Sequence, residues 1–351
     1  MRERLRVLIA AIFYYSGLVK LAYSWIQRSG QRLIILNYHR ATPGELRRQL
    51  LYLRRHYRIL PLEVALEEFY GVDNDEGRGD RRMPLVITFD DGYHDNYSYA
   101  FPLARQLQIP ISIFLIPGYI ESGACFWWLE VNRLVKHAQV GEVTLNGITY
   151  HLGSSDPYMG SGTREVCEER RALAQAINMR LSSAKSVKER EAFLVRIREA
   201  LAIPPGTREE EAARPLTWAE VDEMQESGWV TFGAHTLHHL VLGQVEDPAE
   251  VWQEVEESRS VLEQHLGHAI STFAYPIGKP EHIGDAGLHA VKAAGYKCAL
   301  TTIEGVNTLQ TDAYLLRRLP GDLNVHWLVM ASELVGLLGN WSRLKRKFIR
   351  S

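Results

Sequence analysis

The sequence predicts an α/β fold in which a parallel sheet is covered by helices. Three observations carry this. The strand-like segments, among them LVITF (85–89) and the run 109–118, are apolar throughout rather than alternating, as strands buried on both faces are. Segments with apolar residues at helical spacing stand between them. About eight such strands are readable, enough for a barrel or a large open sheet.

In order, RLIILNYH (32–39) reads as a buried strand, and 44–56 as a helix with Leu46, Leu50 and Leu53 on one face. YRILP (57–61) is a short strand, 61–71 a helix, and 71–84 a polar, Gly-rich loop. The strand 85–89 leads into a helix over 97–108 and the apolar strand of 109–118. Farther on come a strand at 229–235, a long amphipathic helix at 249–266, a strand at 269–276 and a helix at 287–295. Strands at 296–302 and 314–321 complete the set.

Residues 125–214 break this rhythm. Asn146-Gly147 sits between two alternating runs, a strong hairpin signal. A Gly/Ser-rich loop (154–163), two polar helices and a linker (203–215) come next. This stretch reads as an insertion standing over one end of the α/β domain.

With 46% hydrophobic and 23% charged residues in 351, the chain has material for a large core. A formal net charge of -2 gives no general attraction to nucleic acid, and none is expected as a partner. Cys125, Cys167 and Cys298 are far apart and form neither a CxxC pair nor a disulfide framework.

The first 30 residues combine arginines with a long apolar run. From Val7 to Val19 it is too short to span a bilayer, and Lys20 interrupts any extension toward Trp25. The run lacks an Ala-x-Ala-style cleavage site after it, which argues against a secretory signal and for a cytoplasmic place or one peripheral to the inner membrane. Three readings fit: a helix lying in the membrane interface with Trp25 at headgroup level, a marginal anchor, or a helix packed on the domain. Residues 321–351 end similarly, with an apolar helix and then Arg343, Lys345, Arg346, Lys347 and Arg350 around Trp341 and Phe348. That end suits anionic lipid or a solvated helix terminus.

The chemistry concentrates at strand ends. The strand 85–89 ends in Asp90-Asp91-Gly92. Adjacent carboxylates repel, so a cation is expected beside them, or a proton on one. His235 and His239 come directly after another strand and would share one face if helical. Two imidazoles and a carboxylate, with positions left for water, describe a catalytic divalent-metal site. A third strand ends in Tyr275-Pro276, a rigid turn whose backbone N–H groups could converge on one point.

TFDDG (88–92), HTLHH (235–239) and FAYPIG (273–278), in this order, resemble the polysaccharide deacetylases, also called the NodB homology domain or carbohydrate esterase family four. NYHR (37–40) and ALTTIEGVN (299–307) are similar as well, so the resemblance spans about residues 31–320, interrupted by the insertion. It implies a distorted (β/α)7 barrel and metal-dependent removal of acetyl groups from N-acetylated sugars. Carried over, Asp91, His235 and His239 are the metal ligands, Asp90 the general base, and the Tyr275 backbone N–H an oxyanion donor. Zinc heads the candidate divalent metals.

The chain departs from better-known members twice. Phe273-Ala274 stands where they carry an arginine, and CALTTIEG (298–305) lacks their general-acid histidine. His39, His282, His289, Arg317 and Arg318 are the nearest substitutes. Trp127 and Trp128 offer a stacking surface for a sugar or packing between insertion and barrel, and Tyr93 and His94 are expected at the mouth. His39 and Arg318 are also candidate substrate contacts. The expected activity is removal of N-acetyl groups from hexosamines of a polysaccharide or lipid-linked glycan, in cell-envelope or exopolysaccharide metabolism. The alternatives are a weakly catalytic glycan-binding or scaffold protein that keeps the metal site, and an O-acetyl esterase.

Overall fold

The structure, a computed structural model, describes residues 2–42, 44–71, 80–153, 164–202 and 213–338. The loop 72–79, the Gly/Ser-rich loop, most of the linker and the basic C-terminal end lie outside the described residues.

The strands are β1 (Ile34–Tyr38), β2 (Arg58–Ile59), β3 (Pro84–Phe89), β4 (Ile111–Leu115), β5 (Glu142–Leu145), β6 (Ile148–His151), β7 (Val230–Ala234), β8 (Thr272–Ala274), β9 (Cys298–Glu304) and β10 (Leu316–Pro320). Seven run parallel in the order β1-β10-β9-β8-β7-β4-β3, and β3 pairs back onto β1 to close a barrel. Short β2 extends the start of β3. The architecture is a distorted (β/α)7 barrel.

Alternate residues of each strand enter different buried layers, which is why the strands are apolar on both faces. Ile34, Leu36, Leu85, Ile87, Ile113 and Phe232 pack against surrounding helices through residues such as Leu50, Leu53 and Val255. Leu33, Ile35, Val86, Phe114, Leu300 and Leu316 form the inner cluster, onto which the helix Leu62–Tyr70 closes with Leu62, Ala65 and Phe69. Toward the carboxyl ends of the strands the buried residues turn polar: Asn37, Thr88, Asp90, Thr301 and Arg318.

Local chemistry fixes the helix starts. Thr217 and Glu220 form a reciprocal capping box, and Asp247 caps the helix Pro248–Leu266 with proline at its first turn. The helix expected over 97–108 instead opens with a wide π-turn, Asn96–Ala100, before Phe101–Leu107. Pro102 has no N–H to continue a regular ladder there.

The hairpin β5–β6 turns through Asn146 and Gly147, both at positive φ (52° and 79°), as a two-residue hairpin turn requires. It joins the helices Trp127–Lys136, Arg164–Ser182 and Val187–Ala200 around a core of their own, including Val131, Leu134, Ile177 and Leu194. Tyr93 and Ile116, just beyond β3 and β4, belong to that same cluster, so the insertion adjoins the carboxyl ends of these strands. No disulfide forms among the described residues.

The N-terminal segment is two helices, Arg2–Tyr15 and Leu18–Arg28, bent by 69° at a break where Gly17 takes φ 84°. Among the described residues no single helix is long and apolar enough to cross a membrane; the bent pair meets that test only jointly.

Gly233 marks the tightest strand approach. A Cβ there would lie 2.5 Å from both the Phe114 ring and the Thr272 hydroxyl. Gly233→Ala is expected to lower stability by about 1–3 kcal/mol in urea unfolding. An unchanged midpoint would mean that β4, β7 and β8 are less closely packed than described.

Candidate active site

The two aspartates diverge because the backbone turns between them. The Asp90 N–H donates to the Tyr38 carbonyl oxygen, continuing the β1–β3 ladder, whereas Asp91 and Gly92 both adopt positive φ (73° and 74°). Aspartate is among the few side chains that tolerate this conformation.

Asp90 faces a cation. Arg318 of β10, about 1% exposed, places its two terminal nitrogens 2.8 Å from the two Asp90 oxygens. The guanidinium also donates to the Thr301 carbonyl oxygen (2.8 Å) and the Thr88 hydroxyl (3.3 Å). Burial opposes charge on Asp90, yet Arg318 and His235 hold its carboxyl well below the usual carboxylate range.

Asp91 faces the histidines. Its Oδ1 lies 3.4 Å from His235 Nε2 and 3.6 Å from His239 Nε2, and all three candidate ligand atoms fall within 4.8 Å of one another. The two histidines do not share a helix. Residues 235–239 are a loop, with Thr236 and His239 at φ 62° and 56°. Several elements brace it. The Leu237 N–H donates to the Glu254 carbonyl oxygen, and the Glu254 carboxylate accepts from the His238 N–H and meets its Nδ1. From the insertion, buried Arg190 donates to the His238 and His239 carbonyl oxygens (2.8 and 3.5 Å). His238 therefore points away from the cluster, as its place one residue off the ligand pattern suggests.

The donor set fits a small cation. His235 Nδ1–H donates to the Ala274 carbonyl oxygen at 2.7 Å, which leaves the Nε2 lone pair facing Asp91. Asp91 Oδ1 is buried and no hydrogen bond satisfies it. Donors about 2.1 Å from a tetrahedral ion stand about 3.4 Å apart, close to the spacings found. Electrostatics agree. Burial works against charge on His235, yet Asp91 and Asp90 pull its pKa upward, so the cluster favours one positive charge at this point. Burial, joined by the His235 charge, pushes His239 down to about 3, the neutral form a ligand needs.

The other sequence candidates scatter. His39, at the end of β1 and half exposed, has Nε2 4.0 Å from Asp90 Oδ2. Trp128 lies over His239 with ring centroids 4.5 Å apart, and its Nε1–H donates to the Tyr93 hydroxyl at 2.6 Å. Tyr93 and Trp127 are only 5% exposed. They pack in the insertion core rather than meet a sugar, Tyr93 serving to hold Trp128. His94 pairs with Glu220 at 2.9 Å. Arg318, expected as a substrate contact or proton donor, is closed off by Asp90. Arg317 and His289 are exposed, and His282 begins a helix beyond the β8 turn.

One expectation is corrected outright. The Tyr275 N–H donates to the Leu300 carbonyl oxygen at 3.0 Å, as part of the β8–β9 pairing, and is not free for an oxyanion. Pro276 has no N–H. Ile277, at φ 59°, carries the first N–H of the turn without a hydrogen bond among the described residues. The sequence missed this because ladder pairing at the end of β8 is invisible without the register.

The family model for polysaccharide deacetylase matches residues 78–183 and 196–299, more than half of the chain. The chain belongs to the polysaccharide deacetylase family. It is accordingly a hydrolase of amide bonds that acts on acetylated glycans. Among solved structures, the Streptococcus pyogenes deacetylase PplD in complex with acetate is similar at 17% identity and TM-score 0.53, covering 86% of this chain and 97% of that one. IcaB from Ammonifex degensii is similar at 18% and 0.52, again over 86% and 97%. The deacetylase domain of Bordetella bronchiseptica BpsB is similar at 17% and 0.50, over 84% and 97%. At these identities the likeness is one of fold. Among curated protein sequences none matches this deacetylase.

Removing either partner of the Asp90–Arg318 pair leaves a buried charge alone. Asp90→Asn and Arg318→Met are each expected to cost about 3–5 kcal/mol of unfolding free energy. Together they should cost less than the sum by about 0.5–3 kcal/mol. Strict additivity in a denaturation cycle would show that the two side chains are not coupled.

Proposed function

We propose that this deacetylase removes N-acetyl groups from hexosamine units with the help of one divalent cation held by Asp91, His235 and His239. The observation that carries this is the convergence of three buried ligand atoms beside an aspartate with its own arginine. Two imidazoles and one carboxylate at tetrahedral spacing favour zinc. A cation in that position supplies Lewis acidity toward both the attacking water and the acyl carbonyl.

The chain's own groups do the rest. Asp90 accepts a proton from the water as its oxygen bonds to the acyl carbon. Arg318 fixes the Asp90 carboxylate so that it presents a constant face. The Ile277 N–H, rather than that of Tyr275, donates to the developing oxyanion. As the C–N bond breaks, the leaving nitrogen takes a proton and departs as the amine, leaving acetate. His39 is the donor on the Asp90 side, being partly exposed and close to that carboxylate. Trp128 covers His239 and limits water on that flank.

The setting we propose is a membrane surface. Leu5, Leu8, Ile12 and Tyr15 recur at helical spacing on the first helix, and Leu18, Leu21 and Trp25 on the second, all between 42% and 76% exposed. The opposite face of the first helix packs Val7, Ala10 and Tyr14 near the helix Trp327–Leu334. The apolar stripe is therefore surplus to folding. With Arg4, Lys20 and Arg28 on the same two helices, it suits anionic lipid.

Purified protein is expected to carry one divalent ion per chain and to release acetate from N-acetylglucosamine oligomers. Asp90→Asn should keep the ion and lose about 10²–10⁴-fold in kcat, whereas His239→Ala should lose the ion. Wild-type protein that binds no metal would sink the proposal.

In vesicle co-sedimentation, wild type should bind phosphatidylserine-containing vesicles and bind phosphatidylcholine alone weakly. Leu8→Gln with Ile12→Gln should abolish the binding while acetate release from soluble oligomers persists. Equal sedimentation of that variant would remove the stripe from the explanation.

A further inference from the structure

We infer that arginines at the amino-terminal end of the barrel dock on anionic lipid headgroups and turn the catalytic mouth away from the bilayer, so that the substrate is a glycan unit held well out from any lipid anchor. The inference rests on the membrane setting and the reaction proposed above. It adds an orientation and a substrate class.

The arginines come from one helix face and the strand entry beside it. The helix Glu45–His56 exposes Arg47, Arg48, Leu51, Arg54 and Arg55, at helical spacing. Arg81 and Arg82 join its last turn. The Arg82 guanidinium donates to the Arg54 carbonyl oxygen at 2.6 Å. Burial, with Arg55 and Arg82 close by, pushes His56 below its ordinary pKa. Arg48 pairs with Glu45 at 2.7 Å and Arg82 with Asp80 at 2.6 Å. Arg54, Arg55 and Arg81 have no ion pair among the described residues. The surplus of positive charge is local, since the chain as a whole carries a formal charge of -2. Like charges gathered in this way gain from an anionic surface opposite them.

Continuity with the apolar stripe identifies that surface as lipid. Gln27 of the helix Leu18–Arg28 donates to the Arg81 carbonyl oxygen, and the Tyr23 hydroxyl accepts from the Met83 N–H at 2.9 Å. The helix that exposes Leu21 and Trp25 is thereby fastened to the entry of β3, beside the arginines. Leu51, 39% exposed, stands on the arginine face itself. Arginines beside exposed leucine and tryptophan match a headgroup layer over acyl chains. A soluble polyanion would meet the charges and leave the apolar groups in water.

These groups share one end of the barrel. Arg54 and Arg55 lie in the last turn before β2, and Arg81 and Arg82 just before β3. On the first helix, Arg6 pairs with Glu333 at 2.6 Å. Glu333 and Leu334 line a cavity with Trp25, Arg32 and Ile34, where β1 begins. Asp90 and Asp91 close the opposite end of β3. At about 3.3 Å per residue, the path from Met83 to Asp90 is about 23 Å. The headgroup layer of one leaflet is only about 5–8 Å deep. A sugar joined directly to a headgroup therefore stays short of the mouth, whereas a unit farther along a chain reaches it.

The test uses metal-loaded full-length enzyme and vesicles of phosphatidylserine and phosphatidylcholine. An N-acetylglucosamine dimer is coupled to phosphatidylethanolamine in these vesicles, either directly or through a polyethylene glycol spacer longer than the gap. Acetate release from the spaced dimer should be at least about tenfold faster than from the direct one. The two rates should converge once excess neutral detergent has dissolved the vesicles. Each arginine near an anionic surface multiplies binding about fivefold. Arg54→Glu with Arg55→Glu and Arg81→Glu should thus weaken vesicle binding at least about 100-fold, with acetate release from soluble oligomers unchanged. Equal rates on the two tethered dimers in vesicles, a difference that survives detergent, or unaltered vesicle binding by the triple variant would overturn the inference. Failure of the membrane setting looks different, because wild type would then sediment with neither vesicle composition and the inference would fall with it. Failure of the reaction alone would leave soluble oligomers uncut while vesicle binding still depended on the three arginines.

Discussion

Two carboxylates buried side by side at the end of β3 set the terms for the rest of the molecule. Desolvation makes each charge costly unless a cation stands against it. Asp90 finds its cation within the chain, in Arg318. Asp91 finds only imidazoles, one of them fixed as an acceptor by its bond to Ala274. The chain thus supplies one positive charge for two negative ones. The remaining demand is what makes Asp91, His235 and His239 a candidate cation site rather than an ordinary polar pocket.

Holding that arrangement takes more than the barrel. The loop 235–239 has none of the self-supporting bonds of a helix, and two of its residues sit at positive φ. Its shape is imposed from outside by Glu254 on one flank and Arg190 on the other. Arg190 belongs to the insertion, as does Trp128, which covers His239. The insertion is therefore part of the site's construction. Loss of its packing would loosen the loop 235–239 even though none of Asp91, His235 and His239 belongs to the insertion.

Much of this was legible in the sequence, and the division has a physical basis. Apolar runs, helical spacing, capping residues and Asn146-Gly147 are local, and local rules located the strands, most helices and the hairpin. The order of TFDDG, HTLHH and FAYPIG identified the residues that converge. What stayed hidden depends on register and on contacts between distant strands. Tyr275 was assigned an N–H that β9 already uses, because only the pairing of β8 with β9 shows which turn amide is left over. Tyr93 was expected at the mouth, and Trp127 was open between sugar stacking and packing, since nothing local tells a sugar platform from the core of an inserted subdomain.

The arginine makes the sharpest case. The family pattern carries one before the Pro-containing turn, and here Phe273-Ala274 occupies that place. Read locally, this is a loss of function. Read through the closed barrel, a guanidinium from another strand, Arg318 of β10, stands against Asp90. β10 and β3 both flank β1, so their ends are two strand spacings apart, about 10 Å. An arginine on an inward position of β10 and an aspartate at the end of β3 meet across that gap. Thr301 and Thr88 take up two further guanidinium donors, so four of the five N–H groups of the buried cation are bonded. A lysine, with a point charge and no planar fork, could not grip both carboxylate oxygens and Thr301 at once. The closed barrel lets β10 deliver this fork-shaped cation to Asp90 from inside, although the two residues are far apart in the sequence.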